Sequence, residues 1–144
     1  MADNNDSPSV PRVLVVDDEE DFLAVLVKRL SKRNLNVVPA TRGAEALHIL
    51  SREPFDAVVL DLNMPGLGGM KTLQEIKRAK PCVEVIILTG QADMRLATEG
   101  MELGAFDYML KPASVDELLY RIEDATKRSM ENRKKRTAQT KASA

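Results

Sequence analysis

The chain holds no tryptophan, two tyrosines, three phenylalanines, one histidine and one cysteine in 144 residues. A single cysteine, Cys82, rules out an intramolecular disulfide and any multi-cysteine metal site, and it fits a cytoplasmic setting. No apolar run approaches the roughly 20 residues of a membrane-spanning helix. The polar opening Met1–Ser9 lacks the apolar stretch of an export signal, so a soluble, unexported protein without a membrane partner is expected. Glycine-rich phosphate cradles are missing as well. Neither Gly-x-x-x-x-Gly-Lys nor Gly-x-Gly-x-x-Gly follows the first strand-like run, which argues against the usual modes of nucleotide binding. Charge of one sign is not in excess: 21 basic residues stand against 22 acidic ones. Direct nucleic-acid binding is therefore not expected.

What is present is an ordinary globular mix, 44% hydrophobic and 30% charged, in a length that one domain accounts for. The charge is unevenly spread. Residues 130–144 carry Arg133, Lys134, Lys135, Arg136 and Lys141 against Glu131, which leaves 16 basic and 21 acidic residues on the rest. Residues 1–10 read as disordered and 11–129 as the folded domain. Residues 130–144, where apolar positions cease, read as a basic, disordered tail or truncated linker after a frayed helix end.

Within the domain, apolar runs alternate with helical periodicity. Val13–Val16 is strand one, and Phe22, Val25, Leu26 and Leu30 mark helix one, to about Arg33. Val37–Val38 is strand two, and Thr41 is the expected cap of helix two, with Ala44, Leu47 and Leu50 on one face. Ala57–Leu60 is strand three, continuously apolar as in a strand covered on both faces. Leu73 and Ile76 belong to helix three, Val83–Leu88 is strand four, and helix four covers about Ala92 to Leu103 with Gly104 as its stop. Phe106–Leu110 is strand five. Ser114 and Glu117 form a capping-box signature for helix five, with Val115, Leu118, Leu119, Ile122 and Ala125 on its core face. Five strands and five flanking helices in alternation predict a doubly wound α/β domain, and we choose the parallel order 2-1-3-4-5.

That order brings Asp17, Asp18, Asp61, Thr89 and Lys111 to one rim, at the carboxyl ends of the strands where ligands bind in such sheets. Close carboxylates repel by about 4 kcal/mol per pair at an effective dielectric near 20, so a positive partner is expected. Hard oxygen ligands suit Mg2+, and neither His48 nor Cys82 is near enough to argue for zinc. Lys111 supplies a second cation, Thr89 a hydroxyl, and Gly90 leaves room for a phosphoryl group. Asp61, at the centre of the row, can act as a nucleophile and form an aspartyl phosphate. Taken alone, an acid after a strand is an ordinary loop cap.

Together, Asp17-Asp18 after one apolar strand, Asp61-x-x-Met64-Pro65-Gly66 after a second, Thr89-Gly90 after a fourth and Lys111-Pro112 after a fifth form a specific set. Over residues 11–129 the chain resembles the receiver domain of two-component response regulators, the CheY-like, flavodoxin-like fold. The resemblance implies that Asp61 accepts phosphate from a sensor histidine kinase or phosphotransfer protein. It implies direct Mg2+ ligation by Asp18, Asp61 and the Asn63 backbone carbonyl, with Asp17 acting mainly through water. Thr89 and Tyr108 match the family's switch pair, Lys111 its phosphate-binding lysine, and Asn63 and Gln91 the positions that tune dephosphorylation. A cis Lys111-Pro112 bond is implied too. So is a face of helix four, strand five and helix five that switches to control a partner or output domain, with a homodimer through that face as one open expectation. The regulator would catalyse only its own phosphotransfer and slow autodephosphorylation.

Two other classes compete. A hydrolase with a strand-end Asp nucleophile normally needs a second acid two residues later, where Asn63 stands here, and a binding domain that no longer accepts phosphate would show a lost acid or lysine. His48 reads as a solvated residue without a role, and Met64, Met70, Met94 and Met101 as packing or loop residues. Lys134-Lys135 reads as part of a solvated end, and Leu103-Gly104-Ala105-Phe106-Asp107-Tyr108 adds a weaker likeness to the receivers of transcriptional regulators.

Overall fold

The computed structural model describes residues 10–143. Its elements are β1 (Arg12–Val16), α1 (Glu20–Ser31), β2 (Asn36–Ala40), α2 (Gly43–Arg52), β3 (Ala57–Leu60) and α3 (Gly69–Ala79), followed by β4 (Glu84–Gly90), α4 (Met94–Glu102), β5 (Asp107–Lys111) and α5 (Val115–Ser143). A 3₁₀ turn, Gln91–Asp93, leads into α4. The five strands are parallel in the order β2-β1-β3-β4-β5, as expected.

Because side chains alternate across a strand, the sheet divides the core in two. Leu14, Val16, Val58, Leu60, Val85 and Ile87 pack on the side of α2, α3 and α4. Val13, Val15, Val59, Ile86, Leu88 and Met109 pack on the side of α1 and α5. Both faces are apolar, which explains the unbroken hydrophobic runs of β1, β3 and β4. Gly104 closes α4 at φ +106°, the left-handed stop that its position suggested.

Three details differ from the expectations. The buried stripe of α1 is Leu23, Leu26 and Leu30, and Val25 is half exposed, since it sits off the line that three- and four-residue spacing from Leu26 defines. In α2 the buried residues are Gly43, Ala46 and Leu50, and Ala44 faces solvent. Its capping residue is Arg42 without a side-chain cap; the Thr41 N–H and hydroxyl instead donate to Glu45 Oε1 at 2.7 and 3.3 Å.

The largest difference is at the end of the chain. Residues 130–143 continue α5 as helix instead of fraying after Met130. The buried stripe passes from Ile122 and Ala125 to Thr126 and Ser129, with the half-buried Asn132 and the exposed Arg133 next along it, so the same helical period carries on in polar residues that a count of apolar positions overlooks. Asn132 Nδ2 donates to Glu84 Oε2 at 3.0 Å and Arg133 pairs with Asp56 at 2.6 Å, which pins the helix to the starts of β3 and β4. The expectation of disorder for residues 1–10 falls, apart from Val10, outside the described residues. Among the described residues no helix is long and apolar enough to cross a membrane.

Candidate phosphoacceptor site

Register decides which acids meet. Val16 lies opposite Leu60 in the β1–β3 pair, so residues 17 and 61 leave the sheet side by side. The Asp17 N–H donates to the Ala40 carbonyl and the Asp61 N–H to the Val16 carbonyl, both at 3.0 Å, so both acids are held by the sheet as they emerge. β4 runs further than β3 and places Thr89 beyond Ile87, while Lys111 closes β5 opposite Gly90. The Lys111-Pro112 bond is cis, as the resemblance implied.

Asp61 is 5% exposed and Asp17 2%. The Oδ1 atom of Asp61 accepts the Thr89 hydroxyl at 2.8 Å and the Asn63 N–H at 3.0 Å. Its other oxygen, Oδ2, meets only the Lys111 ammonium, at 3.5 Å. Lys111 Nζ is 2.7 Å from Asp17 and 2.9 Å from Glu19, and it lies over the Phe22 ring at 4.3 Å from the centroid. Burial works against the Lys111 charge. Hydrogen bonds to Asp17 and Glu19 and the field of Asp61 more than reverse it, so the ammonium is held above the ordinary lysine pKa. Asp17 moves the other way in energy. Its burial raises the carboxyl pKa, and the bonds from Lys111 and the Glu19 amide only partly offset this.

One oxygen each of Asp17, Glu19 and Asp61 lies within 4.8 Å of the others, a spacing that suits a single hard cation. The expected ligand set contained Asp18 where the structure gathers Glu19. Asp18 is exposed at the rim and outside this trio. Glu19 was not among the expected site residues; its place directly after Asp17-Asp18 was the available signal that it would lie beside Lys111. Phe22 and Gly69 were missed as well. A Cβ on Gly69 would stand 2.2 Å from Leu62 Cα and 2.6 Å from the Asp61 carbonyl oxygen, so only glycine lets α3 start against the segment that carries the acid. Asn63 and Gln91 are exposed beside the site, and Tyr108, 37% exposed, lies on β5 opposite Ile87. His48 is exposed, in keeping with its lack of a role.

A family model described as the response regulator receiver domain matches residues 13–123. The chain is 38% identical over 118 residues to the transcriptional regulatory protein PrrA of Mycobacterium tuberculosis, covering 82% of this chain and 51% of that protein. It is 35% identical over 127 residues to the DNA-binding transcriptional regulator NtrC of Escherichia coli, covering 88% of this chain and 27% of that one. Thus the chain spans about half or less of these curated relatives. Among solved structures, a response regulator receiver domain protein from Clostridium thermocellum superimposes with a TM-score of 0.79 at 36% identity, over 83% of this chain and 97% of that one. Strand order, the rim of acids around one lysine and a family match over 111 residues agree, and the chain belongs to the response-regulator receiver family.

Proposed function

We propose that this receiver is the phosphoacceptor of a two-component pathway and that Asp61 is the residue modified, its donor a phosphohistidine on a sensor kinase or phosphotransfer protein. The observation that carries this is the unequal engagement of the Asp61 oxygens. Thr89 and Asn63 both occupy Oδ1, which leaves Oδ2, with one long contact to Lys111, as the freer nucleophile. In the transfer, Oδ2 forms a bond to phosphorus as the donor's P–N bond breaks, and the departing imidazole keeps the electron pair and takes up a proton. Lys111 turns from its carboxylates to the new phosphoryl oxygens, and the Thr89 hydroxyl follows from Oδ1 to one of them.

The donor set fits magnesium: three carboxylates, no nitrogen or sulfur, at one end of a rigid sheet. Bound there, the ion neutralises charge on the transferring oxygens. We assign Asp17, Glu19 and Asp61 as the residues nearest to holding it, with Asp18 and the Asn63 carbonyl completing the set from the rim. Asn63 and Gln91 are the exposed polar side chains beside the acyl phosphate and are assigned to setting its lifetime. Output is assigned to the face of α4, β5 and α5, with Thr89 and Tyr108 as the switch pair. The transcriptional roles in the relatives' names make a regulator of transcription the first output to test.

Intact mass after incubation with acetyl phosphate and Mg2+ tests the assignment. One added phosphoryl group on the wild type and none on Asp61→Asn is expected. Labelling of Asp61→Asn to the wild-type level would place the nucleophile elsewhere.

A further inference from the structure

The opposite end of the sheet carries a cavity of about 280 Å³ that the phosphoacceptor chemistry does not use. Leu50, Phe55 and Val83 form its floor, with exposures of 3, 3 and 6%, and the half-buried Cys82 lies beside them. Its rim is cationic. Lys80 comes from the α3–β4 loop, and Arg133 and Arg136 come from α5, three residues apart on one face. The single acid at the rim, Glu53, is taken by Arg12 at 2.6 Å, and Arg133 is taken by Asp56. Among the described residues, Lys80 and Arg136 have no ion-pair partner.

We propose that this cavity binds a small organic anion with an apolar body, of the class of an aromatic or medium-chain carboxylate, its acid group held by Arg136 and Lys80. The floor removes apolar surface from water, and the two uncommitted cations supply the complementary charge. The volume lies just below the roughly 300–1,000 Å³ span of ligand sites, which suits an occupant of one or two rings. Little has to be ordered on binding. Asn132 and Arg133 already fix α5 over the cavity, so the roof is in place before the ligand arrives. An occupant would also tie residues 133–143 to the base of the domain, a second input to the receiver that acts at the far end from Asp61.

The full chain titrated with 2-naphthoate, followed by amide chemical shifts, tests this. Saturable shifts confined to Leu50, Phe55, Cys82, Val83 and Arg136 are expected. 2-Naphthamide, which keeps the rings and lacks the charge, should bind at least about tenfold more weakly, as should naphthoate to Arg136→Glu, with Arg136→Lys restoring affinity. Cys82→Trp, which fills the floor, should abolish the shifts. Arg136→Glu, at an exposed position, keeps the test open if that variant fails to fold. Asp61→Asn should bind as the wild type does, which separates this site from the phosphoacceptor assignment. Unsaturable or scattered shifts, or equal affinity for the amide, would overturn the proposal. So would a dimer by light scattering that Arg136→Glu dissociates, since a second copy would then be the occupant.

Discussion

Asp17 and Asp61 are both more than nine-tenths buried and share one ammonium, so at least one charge in the site is poorly compensated. The raised pKa of Asp17 identifies it. A carboxyl whose pKa is higher folded than unfolded favours the native state while protonated and loses that advantage as pH rises through the folded value. Asp17→Asn is therefore expected to raise stability at pH 7. The gain should vanish below the ordinary carboxylate pKa, where Asp17 is neutral in both states. Urea unfolding at both pH values checks it, and a less stable Asn variant at pH 7 would show that the Lys111 pair outweighs the burial. Removing Mg2+ with a chelator should lower the wild type's stability more than that of Asp17→Asn, because the variant has less negative charge left exposed to repulsion. Gly69 makes a steric counterpart. Its substitution by Ala forces a Cβ into the Leu62 backbone and should cost roughly 2 kcal/mol. Slower labelling of Asp61 by acetyl phosphate should accompany the loss.

At the scale of elements, α5 is the informative case. Its segment beyond Met130 extends a helix that begins at Val115, so it needs only propagation, and with few apolar residues of its own it gains little from burial. Contacts made by Ser129, Asn132 and Arg133 therefore decide whether it forms. The Arg133–Asp56 pair is partly exposed, and such a pair contributes up to about 1 kcal/mol. Asn132→Ala with Arg133→Ala should lower amide protection across residues 134–143 several-fold and leave phosphorylation of Asp61 unchanged. Unaltered protection would mean that the helix holds by propensity. Glu84 gives these contacts a firm base. It is 7% exposed, meets Lys77 at 3.2 Å and accepts from Asn132, so α3, β4 and α5 share one carboxylate.

For the whole molecule, the question is how a phosphoryl group at one rim reaches a surface. Thr89 already bonds Asp61, so the hydroxyl needs only to change acceptor, without a long approach. Several exposed apolar side chains lie on α4, β5 and α5: Met94, Met101, Tyr108 and Tyr120 are 50, 36, 37 and 73% exposed. If phosphorylation shifts this face between two arrangements, a change from 1:99 to 99:1 needs about 5.5 kcal/mol of differential stabilisation. Beryllofluoride with Mg2+ should change amide exchange between Ala92 and Tyr120 in the wild type. In Thr89→Ala the phosphoryl mimic should still bind, and the exchange change should shrink. Identical exchange in the wild type with and without the mimic would remove this face from the output.

The alternation of strands and helices was legible in the chain itself, because it rests on local physics: period, β-branched runs and turn residues. The order of the sheet was a choice among the few that right-handed crossovers allow, and the nearness of Asp61 to Lys111 follows from it. What tertiary structure alone decided depends on side chains distant in sequence. Glu19 came to lie beside Asp17 and Asp61 because Lys111, 92 residues away, reaches it. Val25 and Ala44 turned outward because the sheet face chose between neighbouring helical stripes. The tail became helix because polar residues found partners at Asp56 and Glu84 that no local pattern reveals. The basal cavity, assembled from α2, the start of β3, the α3–β4 loop and α5, has no signature in any one segment. Only the packing of all four creates it.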